Sequence, residues 1–106
     1  MNLNLFLISE KAPLREALKN IEANEHGIIL TTDQAGAVIG LATDGDIRRK
    51  LIEGLTLDDA VGPCANPDFV WVADTTPREM LLKKLDHSIR VIPLLNALRH
   101  LTDIVS

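Results

Sequence analysis

A shift of 63 positions lays the second part of this chain over the first. Arg15-Glu16 falls on Arg78-Glu79, Leu18 on Leu81, Ile28-Ile29 on Val91-Ile92, Asp33 on Asn96 and Thr43 on Ser106. Internal repetition constrains a fold more than any single motif does, because each repeat is one supersecondary unit whose apolar face needs cover from a neighbour. The first repeat with its connector spans residues 1–62 and the second spans 63–106. Each has the order strand, helix, strand, strand, and the first adds a second helix. At this length neither half buries enough apolar surface to stand alone.

Within the first repeat, Leu5-Phe6-Leu7-Ile8 reads as a short buried strand, and Pro13 suits the first position of a helix. Leu14, Ala17, Leu18 and Ile21 follow at i, i+3, i+4 and i+7, the signature of one apolar helix face, and His26-Gly27 ends it. Ile28 to Thr31 reads as a second strand, Asp33-Gln34-Ala35-Gly36 as a turn and Ala37 to Ala42 as a third strand. The helix after Thr43 is expected to carry Ile47, Leu51 and Ile52 inward and Arg48, Arg49 and Lys50 outward. In the second repeat, Phe69-Val70-Trp71-Val72 is the first strand. Thr76-Pro77-Arg78-Glu79 is a helix start with capping residue, proline and N3 glutamate. Met80, Leu81 and Leu85 form its apolar stripe, and Val91 to Leu95 and Leu101 to Val105 are the last strands. Gly54 to Cys64 is an ordered connector, since Leu55, Leu57 and Val61 are regularly apolar.

Composition narrows the function classes. The chain is 46% apolar but only 3% aromatic, so its core is aliphatic. A formal charge of −4 argues against nucleic acid, which needs a basic footprint. No apolar run reaches membrane-spanning length and no signal peptide is present, so no membrane role is expected. Cys64 is the single cysteine, which forbids an intrachain disulfide and fits a reducing cytoplasm. His26, His87 and His100 lack the spacing of a metal site, and no Ser-His-Asp set, Cys-His set or phosphate-binding glycine loop suggests itself. Any catalysis is therefore expected to lie outside this chain.

The junction Gly40-Leu41-Ala42-Thr43-Asp44-Gly45-Asp46-Ile47-Arg48-Arg49 carries the chemistry that remains. A strand runs there into a helix start, where unpaired N–H donors and partial positive charge can hold phosphate. A carboxylate beside them can accept hydrogen bonds from sugar hydroxyls. Thr43-x-x-Asp46 also matches a capping box, and Asp44 is itself able to cap the helix. Both readings stay open at this point, as does the choice for Arg48 and Arg49 between a solvated helix face and a phosphate clamp. Trp71, which aligns with Ile8, is either core packing or a stacking surface for a base.

The doubled β-α-β-β-α unit, the run Gly40-Leu41-Ala42-Thr43-Asp44-Gly45-Asp46 and the strand Ile92-Pro93-Leu94-Leu95-Asn96 resemble the cystathionine-β-synthase (CBS) domain pair, or Bateman module. The resemblance covers nearly the whole chain. Thr43-Asp44-Gly45-Asp46-Ile47-Arg48-Arg49 followed by Gly54-Leu55-Thr56-Leu57-Asp58-Asp59 is most similar to CBS pairs attached to sugar-phosphate nucleotidyltransferases, and a similar string occurs in those of sugar-phosphate isomerases. The resemblance implies an α/β (α+β) fold of tandem β-α-β-β-α repeats with pseudo-two-fold symmetry. It also implies adenosine-containing ligands such as AMP, ADP, ATP or S-adenosylmethionine, bound in clefts between repeats, with no obligatory cofactor. By resemblance Asp46 holds ribose hydroxyls, Thr43 contacts phosphate with Asp44 beside it, and Ile8, Ile29 and Leu30 line a base pocket. Arg48 or Arg49 reaches further phosphates. An attached or partner enzyme and a homodimer are the implied partners. The alternative is an assembly module that binds no ligand.

Two departures stand out. The second repeat stops at Ser106, where the first has Thr43, so its last helix is missing and a domain cut from a longer polypeptide is expected. Leu30 also stands where the second repeat has Pro93.

Overall fold

The computed structural model of the chain describes all 106 residues, and in it the opening apolar run divides. Leu3–Phe6 wind into a 3-10 turn and only Leu7–Ser9 extend as strand β1. The Asn2 side chain causes the division: it accepts the Asn4 N–H, and the Leu7 N–H then closes the turn on the Asn4 carbonyl. Helix α1, Leu14–Asn24, starts one residue later than expected, with Pro13 as its extended flanking residue. The helix ends before His26, because Glu25 enters the left-handed region (φ 61°) and donates to the Ile21 carbonyl. Strands β2, Ile28–Thr32, and β3, Val38–Thr43, follow, then helix α2, Asp44–Ile52.

The sheet order is β1-β2-β3, parallel across β1 and β2 and antiparallel across β2 and β3. Leu14, Ala17 and Ile21 of α1 close over Ile8, Ile29 and Ala42, and Ile47 of α2 joins the same cluster. Leu51 packs against it one turn after Ile47, but Ile52 is 80% exposed, contrary to the sequence reading. At 100° per residue the fifth position after Ile47 rotates to the far side of the helix, so α2 has no inward place for it.

The connector is laced onto this first unit. Leu14 donates to Asp59, Arg15 to Leu57, Val61 to Ala12 and Gly62 to Glu10. Val61 is fully buried, and Cys64 enters the core at the end of a short 3-10 turn. Asn66 then exchanges two backbone hydrogen bonds with Leu41 on the outer edge of β3. The compact unit therefore runs to Phe69, past the point where the repeat period divides the sequence.

The second unit, Val70–Ser106, repeats the connectivity. Strand β4 is Val72–Ala73, helix α3 is Arg78–Lys84, and strands β5 and β6 are Ile92–Leu95 and Leu101–Val105. The sheet order is β4-β5-β6, with β4 parallel and β6 antiparallel to β5. The bulge between Thr31 and Thr32 recurs between Leu94 and Leu95, in keeping with the repeat. Three expectations need correction here. The first strand holds two residues instead of Phe69–Val72. Thr76 does not cap α3, because the capping position falls one residue later on Pro77, which has no side-chain acceptor. Met80 is 53% exposed, while Leu81 is buried and Leu85 packs beside it. The short helix buries the side on which Leu81 lies, the extended Leu85 just past its end packs on the same cluster, and Met80 lies 100° from Leu81.

The chain thus has a mixed α+β fold of two three-stranded sheets and three helices. One buried polar group fixes the first unit. Asn24 donates through Nδ2 to the carbonyls of Leu5 and Ile28, at 2.9 and 3.0 Å, and accepts the His26 N–H on Oδ1 at 2.9 Å. Asn24→Ala orphans these groups and is expected to lower the unfolding free energy by about 1–3 kcal/mol. Urea melts measure this, and an unchanged midpoint would show that the three bonds carry no net stability.

Candidate functional site

Strand β3 leads directly into α2, and the turn between them is built by two side chains. Thr43 is extended (φ −93°, ψ 165°) and pairs with Ile28 across the sheet. Its Oγ1 accepts the Asp46 N–H at 3.0 Å, while Asp46 Oδ2 accepts the Thr43 N–H at 2.9 Å. This is the reciprocal capping box, so the structural reading of Thr43-x-x-Asp46 holds. Asp44 does not cap. Its N–H donates to the Gly27 carbonyl at 3.0 Å and its carboxylate pairs with Arg48 one turn on. Two of the first-turn donors are therefore already engaged before any ligand arrives.

The charges around the cap are arranged in pairs. Arg49 donates to Asp46 Oδ1, Arg48 to Asp44 Oδ2, and Lys50 lies 3.8 Å from Glu53. Three cations thus face three carboxylates. Asp46 is the most shielded, 29% exposed against 69% for Arg49. Burial alone would push its carboxyl up, but the Thr43 N–H, the Thr43 hydroxyl and the Arg49 guanidinium outweigh that and hold it below the ordinary carboxylate value of 3.8. Asp46 is an anion at neutral pH. Oδ2 accepts the Thr43 N–H and Oδ1 accepts Arg49, and a carboxylate has about four acceptor sites, which leaves capacity for hydroxyl donors of a ligand.

Asp46, Arg49 and Lys50 open onto a cleft of about 400 Å³, completed by Ile52, Glu53 and Cys64. Cys64 escaped the sequence reading as a site residue, and only tertiary structure brings it there. Burial pushes its thiol up; Lys50 pulls it down less than burial raises it, and Asp46 adds to the rise. It stays a thiol and a poor nucleophile. No group of three His, Cys, Asp or Glu side chains is placed to hold a metal ion.

The other expected site residues lie elsewhere. Ile8 and Ile29 point into the core, 8% and 0% exposed, and line no part of the cleft. Ile8 pairs with Thr31, three residues along β2 from the partner of Thr43, or about 10 Å. Leu30 is fully buried on the opposite face of β2 from Ile29. The fold therefore gathers Thr43, Asp46 and Arg49, sets Asp44 and Arg48 alongside, and leaves Ile8, Ile29 and Leu30 apart from them.

Trp71, in the second unit, is half-buried. The Arg99 guanidinium lies 4.8 Å from its ring centroid, an arrangement that no residue spacing signals. The pair borders a separate open cleft of about 290 Å³ with Asp74, Thr75 and Asn96.

The CBS domain family model matches residues 1–53, half of the chain, and the chain belongs to the CBS domain family. No curated protein matches it. Among solved structures it is similar to the CBS domain protein PAE2072 from Pyrobaculum aerophilum complexed with AMP. That match has 25% identity and a TM-score of 0.76, over 94% of this chain and 78% of that one. It is also similar to CBSX2 in complex with AMP, at 21% identity and a TM-score of 0.78 over 99% and 83% of the two chains. The likeness to Staphylococcus aureus OpuCA has 14% identity and a TM-score of 0.77, over 95% and 84%.

The cap makes two testable statements. Thr43→Ala should cost about 1 kcal/mol in a denaturant melt. A depressed folded pKa means that the Asp46 contribution is complete above the unfolded value and is lost as pH falls through the lower folded value. Asp46→Asn should therefore flatten the acid limb of stability below about pH 4, relative to wild type. Parallel acid limbs would mean that Asp46 is not the group responsible.

Proposed function

We propose that this chain is a regulatory module that binds an adenine nucleotide, AMP, ADP or ATP, and modulates an attached or partner enzyme. The observation that carries this reading is Asp46, held by its cap to Thr43, with Arg49 and Lys50 on one cleft. An anionic carboxylate with spare acceptor capacity lies there beside two cations, the set a ribose and a phosphate require. The AMP in the complexes of the two CBS relatives supports the ligand class. Asp46 takes the ribose hydroxyls, Thr43 and the adjacent helix turn face phosphate, and Arg49 or Arg48 exchanges its carboxylate partner for a further phosphate.

Regulation requires that the nucleotide bind two states of the module unequally, and the difference in affinity sets the size of the effect. The enzyme in question is a sugar-phosphate nucleotidyltransferase, on the strength of the string Thr43 to Arg49 followed by Gly54 to Asp59. The chemistry belongs to that enzyme and not to this chain. The module works in the cytoplasm as a homodimer. No helix is long and apolar enough to cross a membrane.

A second reading, assembly without ligand, draws on the internal pairing of Asp44, Asp46 and Glu53 with Arg48, Arg49 and Lys50. Calorimetric titration with AMP, ADP and ATP separates the two. The nucleotide reading expects saturable binding and a melting temperature that rises with ligand concentration. Asp46→Ala, titrated well below its own melting temperature, should lose the binding. No heat and no shift at millimolar AMP, ADP, ATP and S-adenosylmethionine would leave assembly as the function.

A further inference from the structure

Asp46, Arg49 and Lys50 of α2 and Glu53, the residue that closes it, stand at i, i+3, i+4 and i+7, on one face of the helix. All four line the same cleft. Carboxylates hold both ends of this stripe and cations hold its middle, over about 10 Å of helix. Asp46 accepts from Arg49, and Lys50 lies 3.8 Å from Glu53. The lining thus sets two carboxylates against two cations and carries no net charge. The Asp44–Arg48 pair on the same helix balances in the same way.

Helix stability does not explain Glu53. A carboxylate at the end of α2 meets the negative end of the helix dipole. Its pair with Lys50 has the cation on the N-terminal side, the less favourable order on a helix. At 3.8 Å, and with the Glu53 side chain 61% exposed, that pair contributes little.

We propose that Glu53 limits how many phosphates the cleft accepts, so that the module selects a nucleoside monophosphate over the triphosphate. This rests on the nucleotide reading above, in which Asp46 takes the ribose, the helix start faces the first phosphate and further phosphates turn to the arginines. From Arg49 the stripe leads on to Lys50 and Glu53. A single phosphate brings about two negative charges near pH 7, and each further one adds to them. A lining without net positive charge has no surplus attraction to offer those additions, and Glu53 stands where they arrive. The first phosphate escapes its field. Thr43 and Glu53 bracket α2 about 15 Å apart along the axis, well beyond the ~8 Å screening length at physiological ionic strength.

Calorimetric titration of the full chain with AMP and with ATP, both free of divalent cations, compares wild type with Glu53→Gln and Glu53→Lys. The side chain is exposed, so neither variant disturbs the core. Wild type should bind AMP more tightly than ATP. Glu53→Gln should keep its AMP affinity within about twofold and gain roughly fivefold for ATP, and Glu53→Lys should gain more. The gain should shrink between ~0.05 and ~0.5 M salt, as a screened charge requires and a change in packing does not. An AMP-to-ATP affinity ratio equal in all three proteins would overturn the proposal and leave the nucleotide reading standing, as would a wild-type preference for ATP. Absence of binding to either nucleotide in all three would overturn the nucleotide reading, and this inference with it.

Discussion

Asn24 contributes neither charge nor apolar bulk, yet its carboxamide joins the 3-10 turn, the start of β2 and the end of α1. The consequence propagates through the backbone. Holding His26 and Ile28 fixes Gly27 between them, and the Gly27 carbonyl accepts the N–H of Asp44, the first residue of α2. Helix α2 is therefore positioned by a hydrogen-bond relay that begins in the core, some 20 residues earlier in the sequence. Buried amides of this kind are stabilising only when every polar atom is satisfied, and no buried side-chain polar atom in this structure lacks a partner.

The cap and the proposed ligand site are built from the same atoms. Thr43 and Asp46 bond each other, and Arg49 donates to the carboxylate's other oxygen. A phosphate arriving there meets cations that are already paired, so it exchanges partners instead of filling a vacancy. The helix start stays intact through such an exchange if Asp46 keeps its Thr43 N–H and yields only the Arg49 side. Since Arg49 is far more exposed than Asp46, that side is the one water already competes for.

Much of this was legible in the sequence, for reasons that differ by element. The hairpins follow from Asp33 and Asn96, whose side-chain oxygens accept N–H groups two and four residues on, an entirely local cause. The Thr43–Asp46 box is equally local. What periodicity could not fix is phase: α2 and α3 span only two or three turns, so the orientations of Ile52 and Met80 depend on which neighbours exist to cover them. The rivalry between Thr43 and Asp44 as cap was settled by the Gly27 carbonyl, 17 residues away. Cys64 at the cleft and Arg99 over Trp71 depend wholly on tertiary placement, and no spacing rule reports either.

Arg99 has a positive φ of 63°, and its counterpart 63 residues earlier is Gly36, with φ 84°. Both donate their N–H to the carbonyl of the residue that opens the turn, Asn96 or Asp33. The handedness of the loop is imposed by its frame, and a side chain is tolerated there for about 1–2 kcal/mol. One hairpin thus carries a cation where the other has glycine, on the same backbone turn. A left-handed position pre-formed by the turn lets two hairpins of one shape carry separate surface chemistries, without either having to refold.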